Sequence, residues 1–591
     1  MQRLRQQIER VAASFNGAAV DQRRKPGNVR HGLGNSAPPV STTATNTRSV
    51  TRRCEDVAQG QSRARETGLH SLGRRPGCHG RHSANSDGHR VGPEPAIDRA
   101  QPHDPAVDKV GRRHWKKDSG YHQQARVATT RRDGAEMKRR LNPGPLAKTM
   151  GGVALGLLVM TSTGRAQDWP QWRGADRLAV WHETGVVDRF PEDGLKVAWR
   201  VPIGSGYAGP AVAGGRVFVL DWTEDPASRT LDGSERLLAL DEVSGAVLWT
   251  YEWSTSYRRL MGSYALGPRA TPTVDDDRVY VVGATGRLFC LNVDTGEPIW
   301  DVDYVAGYGL SVPTWGVTSA PLVDDDLLIA IVGGEPNALV VAFDKRTGAE
   351  RWRALDVVAE AGYGQPVIYE AGGARQLIVW HPTGLASLDP LTGNVYWEQE
   401  FDTTDGITVS TPVRSDRYLL VTQLYNGALM MRLGADRPTA ELLWKGSSNS
   451  YEADETDGLH AMTTTPIVVG DHIYGVGAHG ELRGLDARTG ERLWMSDRMN
   501  AQSSYATAFF VQHEDRYFVN NDDGDLILAR FTPQGYVELD RAPLIAPTSR
   551  PARGHGTDRL VNWVHPAYAN GHVVQRNDRE IVRVSLRASD Y

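Results

Sequence analysis

The sequence predicts an all-β chain folded as an eight-bladed β-propeller with four antiparallel strands per blade. Three observations carry this. A turn motif recurs at near-constant spacing, its copies end in a tryptophan, and a small-residue–proline strand start recurs between them.

The motif reads Asp or Asn, two residues, Ser or Thr, Gly, three residues, Trp. It runs from Asp241 through Ser244-Gly245 to Trp249, and from Asn292 through Thr295-Gly296 to Trp300. It returns as Asp344, Thr347-Gly348, Trp352; as Asp389, Thr392-Gly393, Trp397; and as Asp486, Thr489-Gly490, Trp494. Alternating apolar residues such as Leu238-Ala239-Leu240 bring the chain in as a strand. The Asp side chain accepts turn N–H groups and the Gly permits positive φ, so the chain reverses into a second strand. The Trp on that strand is expected to pack between sheets. Trp199 and Trp444 end degenerate copies, and a last weak unit end lies near Tyr536 to Leu539.

The strand starts are Gly209-Pro210, Ala270-Thr-Pro272, Ser319-Ala-Pro321, Gln365-Pro366, Ser410-Thr-Pro412, Thr464-Thr-Pro466 and His565-Pro566, with a Pro-less copy at Tyr505-Ala-Thr-Ala508. That makes eight, with seven blades the alternative count because later units are irregular. The last unit, through Ile581-Val-Arg-Val-Ser585, lacks an outer strand. The segment from Lys196 to Val201 is a spare one, expected to complete blade eight and remove the open edges. A β-solenoid is the structural rival, but its repeats are usually shorter and need no closure.

The chain of 591 residues divides by charge. Residues 1–166 hold 30 Lys and Arg against 13 Asp and Glu, whereas the remainder holds 37 against 58, a net charge of −21. Residues 1–136 are poor in aromatics and apolar runs, and are read as a disordered basic extension or a mis-assigned start. Nucleic-acid binding by this arm is the weaker reading. Met137-Lys-Arg-Arg140, the apolar run from Met150 to Met160 and Gly164-Arg-Ala166 read as a signal peptide over 137–166. The run is too short for a stable membrane span. The expected location is therefore the periplasm or the outside of the cell, with an N-terminal arm over 167–195 and the propeller over 196–591. Cys54, Cys78 and Cys290 are the cysteines, and Cys290 alone falls in the exported part, as a buried small hydrophobe.

In such blades the turns between first and second and between third and fourth strands share one face. Here they are short. Longer insertions, about 221–235, 251–268, 302–316, 445–462 and 540–562, share the other face, where a rigid scaffold usually carries function. Polar and aromatic residues at the inner-strand starts on that face are Arg269, Trp315, Thr318, Gln365, His460 and His565, together with Tyr207, Tyr264, Tyr363, Thr408, Thr463 and Tyr505. Arg269 suits a two-pronged grip on an oxyanion, or an inter-blade salt bridge. His460 and His565 would ligate a metal only by converging across the ring. The acidic loop from Glu452 to Asp457 suits calcium or plain solvation. Tyr251-Glu-Trp253 and Trp563 would cover the channel, offer a partner surface, or pack on the blades beneath.

With these repeats, residues 167–591 resemble the PQQ-like (pyrroloquinoline quinone) β-propeller repeat proteins. These include relatives of quinoprotein alcohol dehydrogenases and the propeller lipoprotein of the outer-membrane barrel-assembly machinery. Asp168-Trp-Pro-Gln-Trp-Arg-Gly174 resembles a start seen in exported members. The dehydrogenase resemblance implies PQQ with Ca²⁺, a pair of adjacent cysteines and a catalytic Asp. This chain has no adjacent cysteines, and Arg269 is the one inner-strand Arg that stands out. The lipoprotein resemblance implies a Cys just after the leader, and none stands near Ala166. The expectation is a monomeric, non-catalytic exported binding or scaffold protein without a firm cofactor. It would take an exported protein, a small molecule or a glycan on the long-loop face, and no nucleic acid. A PQQ-dependent alcohol or sugar dehydrogenase is the alternative, and a hydrolytic propeller with paired carboxylates is a third class.

Overall fold

The computed structural model describes residues 167–261, 266–356, 360–450, 452–456, 458–550 and 559–591. The stretches read as extension and leader, Tyr264 and Asp457 lie outside the described residues.

Eight four-stranded antiparallel sheets form the propeller. Blade 1 takes strands Ala211–Ala213, Arg216–Glu224, Asp232–Asp241 and Val247–Ser256, from the axis outwards. Blades 2 to 7 repeat that order, starting at inner strands Thr273–Asp275, Leu322–Asp324, Val367–Ala371, Val413–Ser415, Ile467–Val469 and Ala508–His513. Blade 8 takes Ala567–Ala569, His572–Arg576 and Glu580–Ser585, and its outer strand is Val197–Pro202. Trp199 faces Arg583 and Val201 faces Ile581, so the ring closes as the sequence predicts.

The motif works as its chemistry suggests. Asn292 Oδ1 accepts the N–H groups of Asp294 and Thr295, both at 2.9 Å, and Gly296 sits at φ 73°. A side chain on that glycine would strike the ring of Trp249, from the outer strand of the preceding blade. Trp249 Nε1 donates to the Val293 carbonyl at 3.1 Å. The tryptophan is therefore a bolt across the seam. It stacks on the next blade's glycine and bonds to that blade's turn. Trp199, Trp300, Trp352 and Trp444 do the same, to Glu242, Lys345, Pro390 and Ala487, and Trp494 donates to the Thr532 carbonyl.

Two seams break the pattern. Blade 5 has no Asp-to-Gly turn, and Trp397 instead donates within its own blade, to Gln376 Oε1 at 2.8 Å. In blade 7, Asp540 stands just after the bulge where the other blades place tryptophan. Its carboxylate accepts the N–H of Phe190, at 2.7 Å, from the N-terminal arm. Val187 N–H donates to the Leu586 carbonyl at 2.9 Å, so arm residues fill the seam between blades 7 and 8.

One expectation is corrected, and one of three open readings is selected. The insertion expected over 221–235 is a shorter connection, residues 225–231, because 221–224 and 232–235 extend the second and third strands of blade 1. Tyr251 and Trp253 lie on its outer strand and pack on Phe289 of blade 2, with ring centroids 5.3 and 4.8 Å apart. The alternation of that strand keeps them on one face and explains the packing.

Candidate functional site

The inner strands start on the long-loop face, and their first residues form a belt. Thr318 Oγ1 donates to the Tyr363 carbonyl at 3.1 Å. Gln365 Nε2 donates to the Thr318 carbonyl at 3.0 Å, and Gln365 Oε1 accepts Ala320 N–H at 2.7 Å. Thr408 Oγ1 accepts Tyr363 N–H at 3.0 Å, and the hydroxyls of Thr464 and Thr507 meet at 2.8 Å. Thr318 and Gln365 are thus stitches between blades 3 and 4. Both polar ends of the Gln365 amide are engaged there. Buried polar groups need such partners, and adjacent blades supply them.

Arg269 and Trp315 are brought to a common neighbour, Tyr363. Trp315 meets that ring edge-on with centroids 5.5 Å apart. Tyr363 in turn donates to Glu360 at 2.7 Å, beside Thr314 Oγ1 at 2.8 Å. The Arg269 guanidinium lies 5.9 Å from the centre of the Tyr207 ring, a cation–π arrangement. Burial lowers its pKa, and Tyr207, Tyr257 and Tyr363 oppose that shift.

His460 and His565 have different neighbours. His460 Nδ1 meets the Leu424 carbonyl at 2.9 Å. His565 is packed between Trp172 and Phe509, centroids 4.6 and 5.2 Å away, and its Nδ1 meets the Pro566 carbonyl. Burial first, then the nearby Arg173 charge, pushes its pKa down to about 3. Among the described residues no group of three or more His, Cys, Asp or Glu side chains is arranged to hold a metal.

The sequence reading missed what fills the axis. Residues 168–181 thread the ring. Trp169 pairs through its backbone with Val212 of blade 1, both bonds 2.8 Å, and the Pro170 carbonyl accepts Val274 N–H of blade 2. Arg177, 2 % exposed, donates to the Pro321 carbonyl of blade 3 at 2.5 Å and the Pro366 carbonyl of blade 4 at 2.9 Å. Trp172 Nε1 donates to Thr411 Oγ1 before blade 5 at 3.1 Å. Ala179 and Trp181 bond to Gln512 of blade 7 at 2.8 Å, and Trp181 packs on Phe518 and Tyr568. Burial lowers the Arg177 pKa to about 9. The cluster of Trp169, Trp172 and Trp181 in a short non-repeating stretch was the available signal, since a solvated linker has no use for three indoles.

Two buried carboxylates anchor the mouth. Asp522 accepts Arg559 Nη2 at 2.7 Å and Thr507 N–H at 3.1 Å, and burial raises its pKa to about 6 against the pull of Arg559. This pins the connection between blades 7 and 8. Glu235 accepts Tyr257 Oη at 2.5 Å, Trp253 Nε1 at 2.8 Å and Ala284 N–H at 2.8 Å, and burial raises its pKa. The arrangement is a reinforced rim over an occupied axis.

A family model described as outer membrane protein assembly factor BamB matches residues 106–266, 233–496 and 433–542. The chain belongs to this family. The match begins upstream of the propeller, within the stretch assigned to the extension and leader. The BamB protein of Shewanella oneidensis is 24 % identical over 328 residues, covering 52 % of this chain and 72 % of its own length. That of Burkholderia pseudomallei is 24 % identical over 386 residues, 58 % of this chain and 93 % of its own. The quinohemoprotein alcohol dehydrogenase ADH-IIG of Pseudomonas putida is 25 % identical over 167 residues, 25 % of this chain and 23 % of its own. The similarity to BamB proteins thus runs across most of their length, and that to the dehydrogenase across one part.

Proposed function

We propose that this chain is a non-catalytic, exported binding or scaffold propeller that presents its long-loop rim to an exported partner. The observation that carries this reading is the filled axis. Where a propeller has room for a ligand, residues 168–181 sit in contact with the inner strands. The relatives matched over most of their length are assembly factors of outer membrane proteins, which supports an exported location and a scaffold role. No helix among the described residues is long and apolar enough to cross a membrane.

Of the six residues singled out for PQQ, three are engaged by the protein itself, which argues against that group. Its carboxylates call for several convergent cations or amides, whereas Gln365 and Thr318 bond between blades and His565 is covered by Trp172. The deciding experiment is a titration of the protein with PQQ, with and without calcium, read by tryptophan fluorescence. Absence of saturable quenching at high cofactor concentration is the expected result. Saturable micromolar binding would replace this reading with that of a quinoprotein alcohol or sugar dehydrogenase.

A further inference from the structure

The seam between blades 4 and 5 differs from its neighbours in a way that makes a cavity. In place of the short Asp-to-Gly turn, the third strand of blade 5, Gly427–Leu433, continues into a longer turn over residues 434–439 before the outer strand Ala440–Lys445. Gly434 and Thr439 close this turn with an N–H to carbonyl bond of 2.8 Å. Its Arg437 carbonyl rests on Gly372 of blade 4, a contact that leaves no room for a Cβ. With no bolt across this seam on the short-turn face, a space of about 930 Å³ opens between the two blades.

Four guanidinium groups line it: Arg375, Arg414, Arg417 and Arg432. The exported part as a whole carries a net charge of −21, so this concentration of cations runs against the local average. Arg375 is engaged by Asp324. The others are less committed. Arg414 Nε donates to the Asp416 carbonyl at 2.8 Å, Arg417 lies 5.6 Å from the Tyr418 ring centre, and neither has a carboxylate partner among the described residues. Arg432 reaches Glu441 only at 3.6 Å, and its buried Nε has no hydrogen-bond partner. Guanidinium forks are suited to carboxylate and phosphate oxygens. The same wall carries Glu370, Asp416 and Glu441, and carboxylates accept hydrogen bonds from hydroxyls.

We propose that this groove binds an anionic saccharide, with the arginines holding its carboxylate or phosphate and the acidic side chains accepting its hydroxyls. A bare anion would meet repulsion from the three carboxylates. A neutral sugar would bring no anionic group to Arg414 and Arg417, which lack a carboxylate partner among the described residues. The site is on the opposite face from the rim and is independent of the scaffold reading.

The test is calorimetric titration of the full chain with glucuronate, glucose 6-phosphate, glucose and inorganic phosphate. At least one anionic sugar is expected to bind saturably and about tenfold tighter than glucose or phosphate, one factor of ten being about 1.4 kcal/mol. The double substitution Arg414→Gln, Arg417→Gln should weaken that binding about tenfold or more. Ala435→Trp, which fills the groove without altering charge, should weaken it as well and serves if the double variant does not fold. Absence of saturable binding by both anionic sugars overturns the proposal, as does unchanged affinity in a folded variant. Phosphate binding as tightly as the sugars would mark an adventitious ion only, and overturns it too.

Discussion

The seams between blades 4 and 5 and between blades 7 and 8 both lack the tryptophan bolt, yet they are resolved in opposite ways. At the second, the bolt position is Asp540, and the arm supplies Phe190, Val187 and Val186 to fill the space. At the first, Trp397 bonds within its own blade, and the space beside the short turns is lined by charged side chains, four of them arginines. A repeat protein tolerates loss of its seam residue when another segment takes over the burial. Where none does, the loss leaves a groove. The stability of the ring should therefore be concentrated where the arm is, and be least sensitive at the groove.

The largest effect should come from breaking the filled seam. Trp181, fully buried against Phe518 and Tyr568, should cost about 4 kcal/mol when changed to Ala, read as a lower urea midpoint with an unchanged slope. A loss under 1 kcal/mol would show that the arm is not part of the cooperative unit.

Acid should act on the same region. His565, ordinarily near 6.5, is held down to about 3 in the folded state. Below pH 6.5 the unfolded chain takes up a proton that the folded chain refuses. Its stabilising contribution is therefore complete above that pH and declines as pH falls towards 3. Between pH 7 and pH 4 this is worth about 3 kcal/mol. His565→Gln should remove that part of the acid sensitivity, measured as the wild-type minus variant difference in unfolding free energy at the two pH values.

An ordinary seam gives the intermediate case. Gly296→Ala forces a Cβ into a backbone at φ 73° and against the Trp249 ring. It should cost about 2 kcal/mol, checked by thermal unfolding. Trp397→Phe gives the smallest. It keeps the packing and deletes the bond to Gln376, which still accepts from Ser387 Oγ at 2.8 Å. About 1 kcal/mol is expected, and an equal loss at both seams would erase the distinction drawn between them.

The fold was legible because the repeat is written in residues whose roles are local. Asp, Thr and Gly make the turn, and Trp marks the outer strand. Closure by Lys196 to Val201 was legible for the same reason, since an unpaired outer strand and a blade without one imply each other. The arm was not, because Trp169, Arg177 and Trp181 obey no period and their partners lie far along the chain, at Val212, Pro366 and Gln512. The site was only partly legible. Arg269 and Trp315 share Tyr363 as a neighbour at the rim. Thr318 and Gln365 looked like ligand donors because they are polar residues at inner-strand starts, and sequence does not say whether such a side chain faces the axis or the adjacent blade.

Closure through Val197–Pro202 also fixes an order of events. The first strand among the described residues pairs with the last, Glu580–Ser585. That outer strand must stay without its native neighbour until nearly four hundred residues have followed it. Its native pairing is among the most distant in the chain, the kind of contact that slows folding most.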